Sequence, residues 1–177
     1  MPLSLYDISV LSFRQTLEGV DGFLAKGLTW CQETGTDPDT VVETRLSSDM
    51  LPFRFQIQNV VFHSTGAMAA IQNGVLRHPG ERPRPNYAGL QALIAEARET
   101  LATLTPDAVN AHEGADMLFD TPGNRRLFTA DDFILTFSLP NVHFHATTAY
   151  GILRHLGVPV GKRDFMGSLR LKARLED

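Results

Sequence analysis

Three of the chain's six histidines fall in one short stretch, Asn141-Val142-His143-Phe144-His145 followed by Thr147, Thr148, Tyr150, Arg154 and His155. Imidazoles, amides and hydroxyls are the groups that ligate metals, relay protons and hold polar ligands. On a helix their spacing sorts them. Ile134, Ser138, Asn141, His145, Thr148, Ile152 and Leu156 recur at steps of three and four, which puts polar residues in the middle of a stripe with apolar ends. An earlier segment repeats the pattern with Arg54, Gln58, Val61, Thr65 and Met68. If the two stripes face each other, Gln58, Asn141 and His145 converge, with Thr148 and His143 beside them. The outcome is either an internal hydrogen-bond network that satisfies itself or a small pocket for a ligand or ion. His143 and His145 lie two residues apart, about 200° round a helix, so a regular helix does not bring both to one ion.

Other reactive residues have structural explanations. His63 shares a helix face with Gln56 and Asn59 and is expected to be structural or at the surface. His155 belongs to a last helical turn, where a cation meets the negative end of the macrodipole. His78 and His112 fall in loops and are expected to be solvated. Cys31 lies on an apolar stripe and reads as an inert core thiol. Asp131 and Asp132 open a helix, where acids favour the dipole without any catalytic duty. The sequence contains no GxSxG, GxGxxG, P-loop or CxxC, so the common hydrolase, nucleotide and redox signatures are missing.

Four long amphipathic segments must position these residues. The first carries Phe13, Leu17, Val20, Leu24, Leu28 and Cys31 and stops at Gly35, with Asp37-Pro38 starting a short turn through about Glu43. The second opens near Ser48 or Asp49, tolerates Pro52 in its first turn, and buries Phe53, Ile57, Val60, Ala67 and Ile71. The stretch HPGERPRPN, residues 78–86, holds three prolines and is a connector. The third helix runs from about Tyr87 to Leu104. A small hairpin is expected around 117–128, centred on Thr121-Pro122-Gly123-Asn124. Thr129 with Asp132 resembles a capping box that opens the fourth helix, which ends at Gly157. Pro140, inside it, is expected to bend the helix and to free a carbonyl near Thr136.

Composition narrows the classes. At 177 residues, 43% hydrophobic and 20% charged, the chain has the make-up of one globular domain able to build its own core. A net charge of −4 argues against nucleic acid, which needs a basic face, and the mixed stretch from Lys162 does not reverse this. A lone cysteine forms no intramolecular disulfide and fits a reducing, cytoplasmic setting. The N-terminus lacks a basic and then apolar leader, and no run of about 18 apolar residues signals a membrane span.

The stretch from His145 through Leu156-Gly157-Val158-Pro159 resembles the last-helix signature of the DinB/YfiT-like superfamily, with His145 as the matching histidine. SLYDISV, RLSSDMLPFRFQIQ, FSLPNVHFHATTAYGILRHLGVP and GKRDFMG resemble the recurrent blocks of a domain-of-unknown-function family placed in that superfamily, and they span nearly the whole chain. The resemblance implies an all-α fold, an up-down-down-up four-helix bundle with the hairpin before its last helix. It also implies a divalent metal held by one histidine on helix two and an HxxxH pair on helix four. Four residues before His145 stands Asn141, and the helix-two position, eight after Met50, is Gln58. Amides are poor ligands for zinc or nickel, so no transition metal held in the three-histidine manner is expected. The expectations are therefore a small-molecule-binding or stress-related protein with a polar pocket between helices two and four. The alternatives are a metal-dependent hydrolase or thiol transferase of the DinB-like type, and a structural dimer without ligand. A homodimer is expected because helix one and the residues before it carry apolar side chains beyond the main stripe, namely Leu3, Leu5, Phe23 and Trp30.

Overall fold

The stripe from Phe13 to Cys31 becomes the first long helix of a computed structural model that describes residues 3–77 and 80–173. Its length of apolar spacing, with Val10, Phe13, Leu17, Val20, Leu24 and Cys31 all buried, gives α2 (Val10–Thr34). Gly35 ends it in the left-handed conformation, φ 68°, which favours a residue without a Cβ. A short helix precedes it: α1 (Leu5–Ile8) is capped by Ser4, whose hydroxyl accepts from the Asp7 amide while Asp7 bonds back to the Ser4 amide. Asp37 caps α3 (Pro38–Val42).

The second long helix, α4 (Phe53–Asn73), begins later than its pattern implies. Residues 44–52 form turns, and Pro52 is the N-cap rather than a first-turn residue. The third is α5 (Tyr87–Thr103), capped by the Asn86 side chain, and α6 (Pro106–Asn110) follows. The fourth begins as α7 (Ala130–Phe133), capped by Thr129, passes through a π-turn at Ile134–Ser138, and continues as α8 (Leu139–His155). Of the expected capping box, the hydrogen bond from the Asp132 amide to Thr129 Oγ1 is present at 3.2 Å. A final short helix, α9 (Lys162–Met166), lies on α2.

Pro140 does not break this last helix. The widened turn before it lets the Leu139 amide reach back five residues to the Ile134 carbonyl, so the chain arrives at the proline with the helix intact. The carbonyls that lack the Pro140 donor belong to the stretch around the exposed residues Leu135 and Thr136, within reach of water.

The expected hairpin is part of a three-stranded sheet. β2 (Asp116–Thr121) and β3 (Asn124–Thr129) pair antiparallel, and β1 (Val75–Arg77), directly after α4, adds to β2 in parallel. The four long helices pack in the cyclic order α2–α5–α4–α8, so the first neighbours the third and fourth and sits diagonal to the second. This is a bundle with crossover connections. No helix of the described residues is long and apolar enough to cross a membrane.

Two of the side chains that suggested a dimer belong to this core: Leu5 is 1% and Phe23 0% exposed. Leu3 remains exposed and Trp30 is half-buried.

Candidate functional site

α4 is wedged between α8, α5, α2 and the sheet, and this explains why it buries polar residues as well as apolar ones. Gln56, Gln58, Asn59, His63 and Ser64 are all buried, together with Ile57 and Val60. Asn59 Nδ2 donates to Phe55 O at 2.8 Å, and Ser64 Oγ donates to Val60 O at 2.6 Å. On α8, Asn141 Nδ2 donates to Phe137 O and Thr148 Oγ1 to Phe144 O, both at 2.8 Å. Each of these groups turns back to its own helix.

Among the described residues, one hydrogen bond between side chains joins α4 to α8, between His145 Nδ1 and Gln56 Oε1 at 2.8 Å. Gln56 Nε2 is spent on Leu51 O at 2.8 Å, which fixes the amide with its oxygen toward the imidazole. An amide oxygen only accepts, so His145 Nδ1 carries the proton and Nε2 keeps the lone pair.

His63 stacks on His145, with ring centroids 5.8 Å apart and planes 11° from parallel. Phe62 and Phe137 meet His63 edge-on, and Phe55 and Phe144 meet His145 likewise. Burial in this aromatic box holds both rings neutral. It lowers His63 to about 3, helped by the facing His145 and by Arg82, and His145 to about 4, again with Arg82 contributing. Arg82 arrives from the proline-rich connector and lays its guanidinium over Phe55 and Phe62, 5.5 and 5.0 Å from the ring centroids.

In front of His63 opens a cavity of about 380 Å³, walled by α4, α8, β2 and the connector. Gln58, His63, Arg82 and Asn141 line it, with Phe55, Phe62, Phe119 and Phe137 as its apolar surfaces. Three buried polar atoms around it lack a hydrogen-bond partner among the described residues: Gln58 Oε1, His63 Nδ1 and Arg82 Nη1. Gln58 Nε2 is taken by Pro83 O at 2.9 Å, which tethers the connector to α4.

The residues singled out in the sequence thus divide. Gln58 and Asn141 share the cavity wall. His145 stands behind it, joined through His63, and Thr148 is buried beyond the wall. His143 is exposed and is not brought to the site. His63, expected to be structural or at the surface, is 6% exposed, which corrects the surface alternative, and it lines the cavity; α4 is covered on several sides. Arg82 had no sequence signal beyond its place in a connector. His112 is half-buried in the turn after α6, and His78 lies outside the described residues. Cys31 is buried, and burial pushes its thiol up.

The family described as "Domain of unknown function (DUF1993)" matches residues 5–166. The chain belongs to this family. A crystal structure of a DinB family member protein from Shewanella denitrificans is 28% identical to it, with a TM-score of 0.78 and 96% of each chain covered. No curated protein matches. The DUF1993 chain is therefore DinB-like in fold, as its last helix suggested.

The donor set does not fit the superfamily's three-histidine metal site. Among the described residues, no three His, Cys, Asp or Glu side chains are grouped to hold an ion. His63 and His145 supply two imidazoles, the remaining candidates are the neutral amides of Gln58 and Asn141, and the Arg82 charge already disfavours positive charge on both rings.

Proposed function

We propose that this DUF1993 protein binds a small organic molecule in the cavity between α4 and α8. One observation carries the reading: Gln58 Oε1, His63 Nδ1 and Arg82 Nη1 are buried around a single cavity and have no hydrogen-bond partner among the described residues. An unsatisfied buried polar group costs about 1–3 kcal/mol, and three around one hollow form a constellation that a ligand's complementary atoms would satisfy. A self-contained network would have spent these atoms across the interface, whereas apart from the His145–Gln56 bond the hydrogen bonds of Asn59, Ser64, Asn141 and Thr148 return to their own helices. Cavities of this size with aromatic walls and a few convergent polar groups are the usual form of small-molecule sites.

The test is an NMR titration of the full chain with benzoate, benzamide, benzyl alcohol and zinc chloride. At least one organic probe is expected to shift the amides of Gln58, Phe62, His63 and Asn141 together. Shifts scattered over the surface for every probe would sink the binding reading. The superfamily resemblance carries a second reading, a metal-dependent hydrolase or thiol transferase of the DinB-like type, with the donor set described above against it. Zinc retained through dialysis at one per chain, and lost in His63→Ala and His145→Ala, would put that reading first.

A further inference from the structure

The hollow in front of His63 has a neighbour. A second groove of about 490 Å³ runs between α4, α5 and the connector, lined by Val61, Thr65, Gly66, Pro83, Pro85 and Leu93. The two share Gln58, Phe62, Glu81 and Arg82 as common walls. The first is rich in polar groups, while the second is apolar along most of its length. Arg82 stands where they meet.

Charge separates the two further. The lining of the first cavity holds Arg54, Arg82 and Arg84 against the single acid Glu81, in a chain whose net charge is −4. Arg54 is engaged by Glu43 at 2.6 Å. Arg82 makes no ion pair among those the described residues form, and its Nη1 is buried without a hydrogen-bond partner. The histidines beside it are neutral, so near pH 7 the guanidinium supplies the positive charge at this junction. A guanidinium fork is shaped for a carboxylate, and His63 Nδ1, a donor when it carries the imidazole proton, lines the same cavity, whereas the free Gln58 Oε1 only accepts and is no partner for the acid group.

We infer that the ligand is an amphiphilic monocarboxylic acid, its carboxylate held at Arg82 and His63 and its apolar tail lying in the groove toward Leu93. This rests on the binding reading above and adds the ligand's chemical class. Two features carry it: a half-buried cation with one buried, unfilled donor, and an apolar trough sharing that cation's walls. A purely polar ligand would leave the trough empty, and a neutral apolar one would leave the guanidinium unpaired in a low-polarity setting.

The experiment is calorimetric titration of the full chain with the straight-chain acids from propionate to decanoate, and with octanol and octylamine. Affinity is expected to rise along the acids by roughly three- to fourfold per methylene until the groove is filled. Octanoate is expected to exceed octanol and octylamine by on the order of tenfold or more. Two variants separate the halves of the proposal. Arg82→Gln, in the connector rather than in a helix, should weaken octanoate about tenfold and leave octanol unchanged. Gly66→Leu should weaken octanoate about tenfold and spare propionate, because a Cβ at Gly66 meets its nearest neighbours, the Phe62 ring and Val61 O, at ordinary contact, so a side chain on this groove-lining residue does not displace the helix.

Octanol binding as tightly as octanoate, or an Arg82→Gln variant that weakens both alike, overturns the proposal. So does an affinity that is flat with chain length. If no alkanoate binds while an aromatic probe still shifts Gln58, His63 and Asn141, the amphiphile is wrong and the cavity's binding role stands. If no probe reaches the cavity, both fall.

Discussion

Tyr87, where α5 meets α2, is 1% exposed, and its hydroxyl donates to Leu24 O at 2.8 Å; His63, where α4 meets α8, is 6% exposed and its Nδ1 has no hydrogen-bond partner among the described residues. The first seam is closed by design of sequence. Gly27 leaves the space the phenol needs, since a Cβ there would stand 2.4 Å from Tyr87 Oη, and Phe53 stacks on the ring at 6.2 Å. In the second seam polar side chains of similar burial face a hollow. The contrast shows that burying polar groups is not in itself a sign of function. What marks the α4–α8 side is that three buried polar atoms around one cavity lack a hydrogen-bond partner among the described residues.

Mutations can break or sharpen that contrast. The largest effect is expected on the closed side: Phe53→Ala removes a fully buried ring packed on Tyr87 and should destabilise by about 3–5 kcal/mol in urea unfolding. A loss below about 1 kcal/mol would mean that this seam is as loosely filled as the other.

Acid should act through the open side. His63 and His145 are held to about 3 and about 4 against an ordinary 6.5, so below pH 6.5 the unfolded chain takes up protons that the fold refuses. Their stabilising contribution is complete above pH 6.5 and is lost progressively as the pH falls toward 3. Urea midpoints should decline across that window and decline less in a His63→Leu, His145→Leu double variant. Parallel profiles for the two proteins would refute the assignment.

Singly, the same histidines should differ. His145→Leu orphans Gln56 Oε1 and should cost about 1–3 kcal/mol. His63→Leu removes a ring whose Nδ1 has no partner, so its effect should stay within about 1 kcal/mol of neutral. Equal losses would show that His63 is as much a structural residue as His145. The smallest effect is expected at the rim of the closed side, where Arg98 pairs with Asp21 with both side chains about two-fifths exposed. Arg98→Ala should change stability by less than about 1 kcal/mol, a shift in melting temperature near the limit of measurement.

The helices were legible because their buried residues follow a helical period. The stripe from Phe13 to Cys31 lies within α2, which Gly35 ends as expected, and the third helix, expected from about Tyr87 to Leu104, runs Tyr87–Thr103. β1 was not legible, since three residues, Val75-Leu76-Arg77, give no alternation to count and its pairing is with a strand about forty residues on. The site was half legible. Spacing puts Gln58 and Asn141 on facing stripes, but it puts His63 on another face, with Gln56 and Asn59. A helix wedged among several neighbours buries Ile57, Val60 and His63 at once, so its sequence cannot state which residues are inward. Arg82 could not be found at all, because where a connector folds back is decided by tertiary contacts such as Gln58 on Pro83 O.

The widened turn at Ile134–Ser138 has a consequence for how the molecule could vary. It inserts about one residue into the winding, a phase offset of about 100° between the two ends of one continuous rod. The Ala130–Phe133 end packs on the sheet and the Leu139–His155 end on α4, so the offset works as a vernier that sets the azimuth of one against the other. Phe137 sits on that vernier, touching His63 on one side and Phe119 of the sheet on the other. Excising a single residue there would do more than shorten the rod: it would turn the sheet about the axis of α8 and carry the wall of the cavity with it.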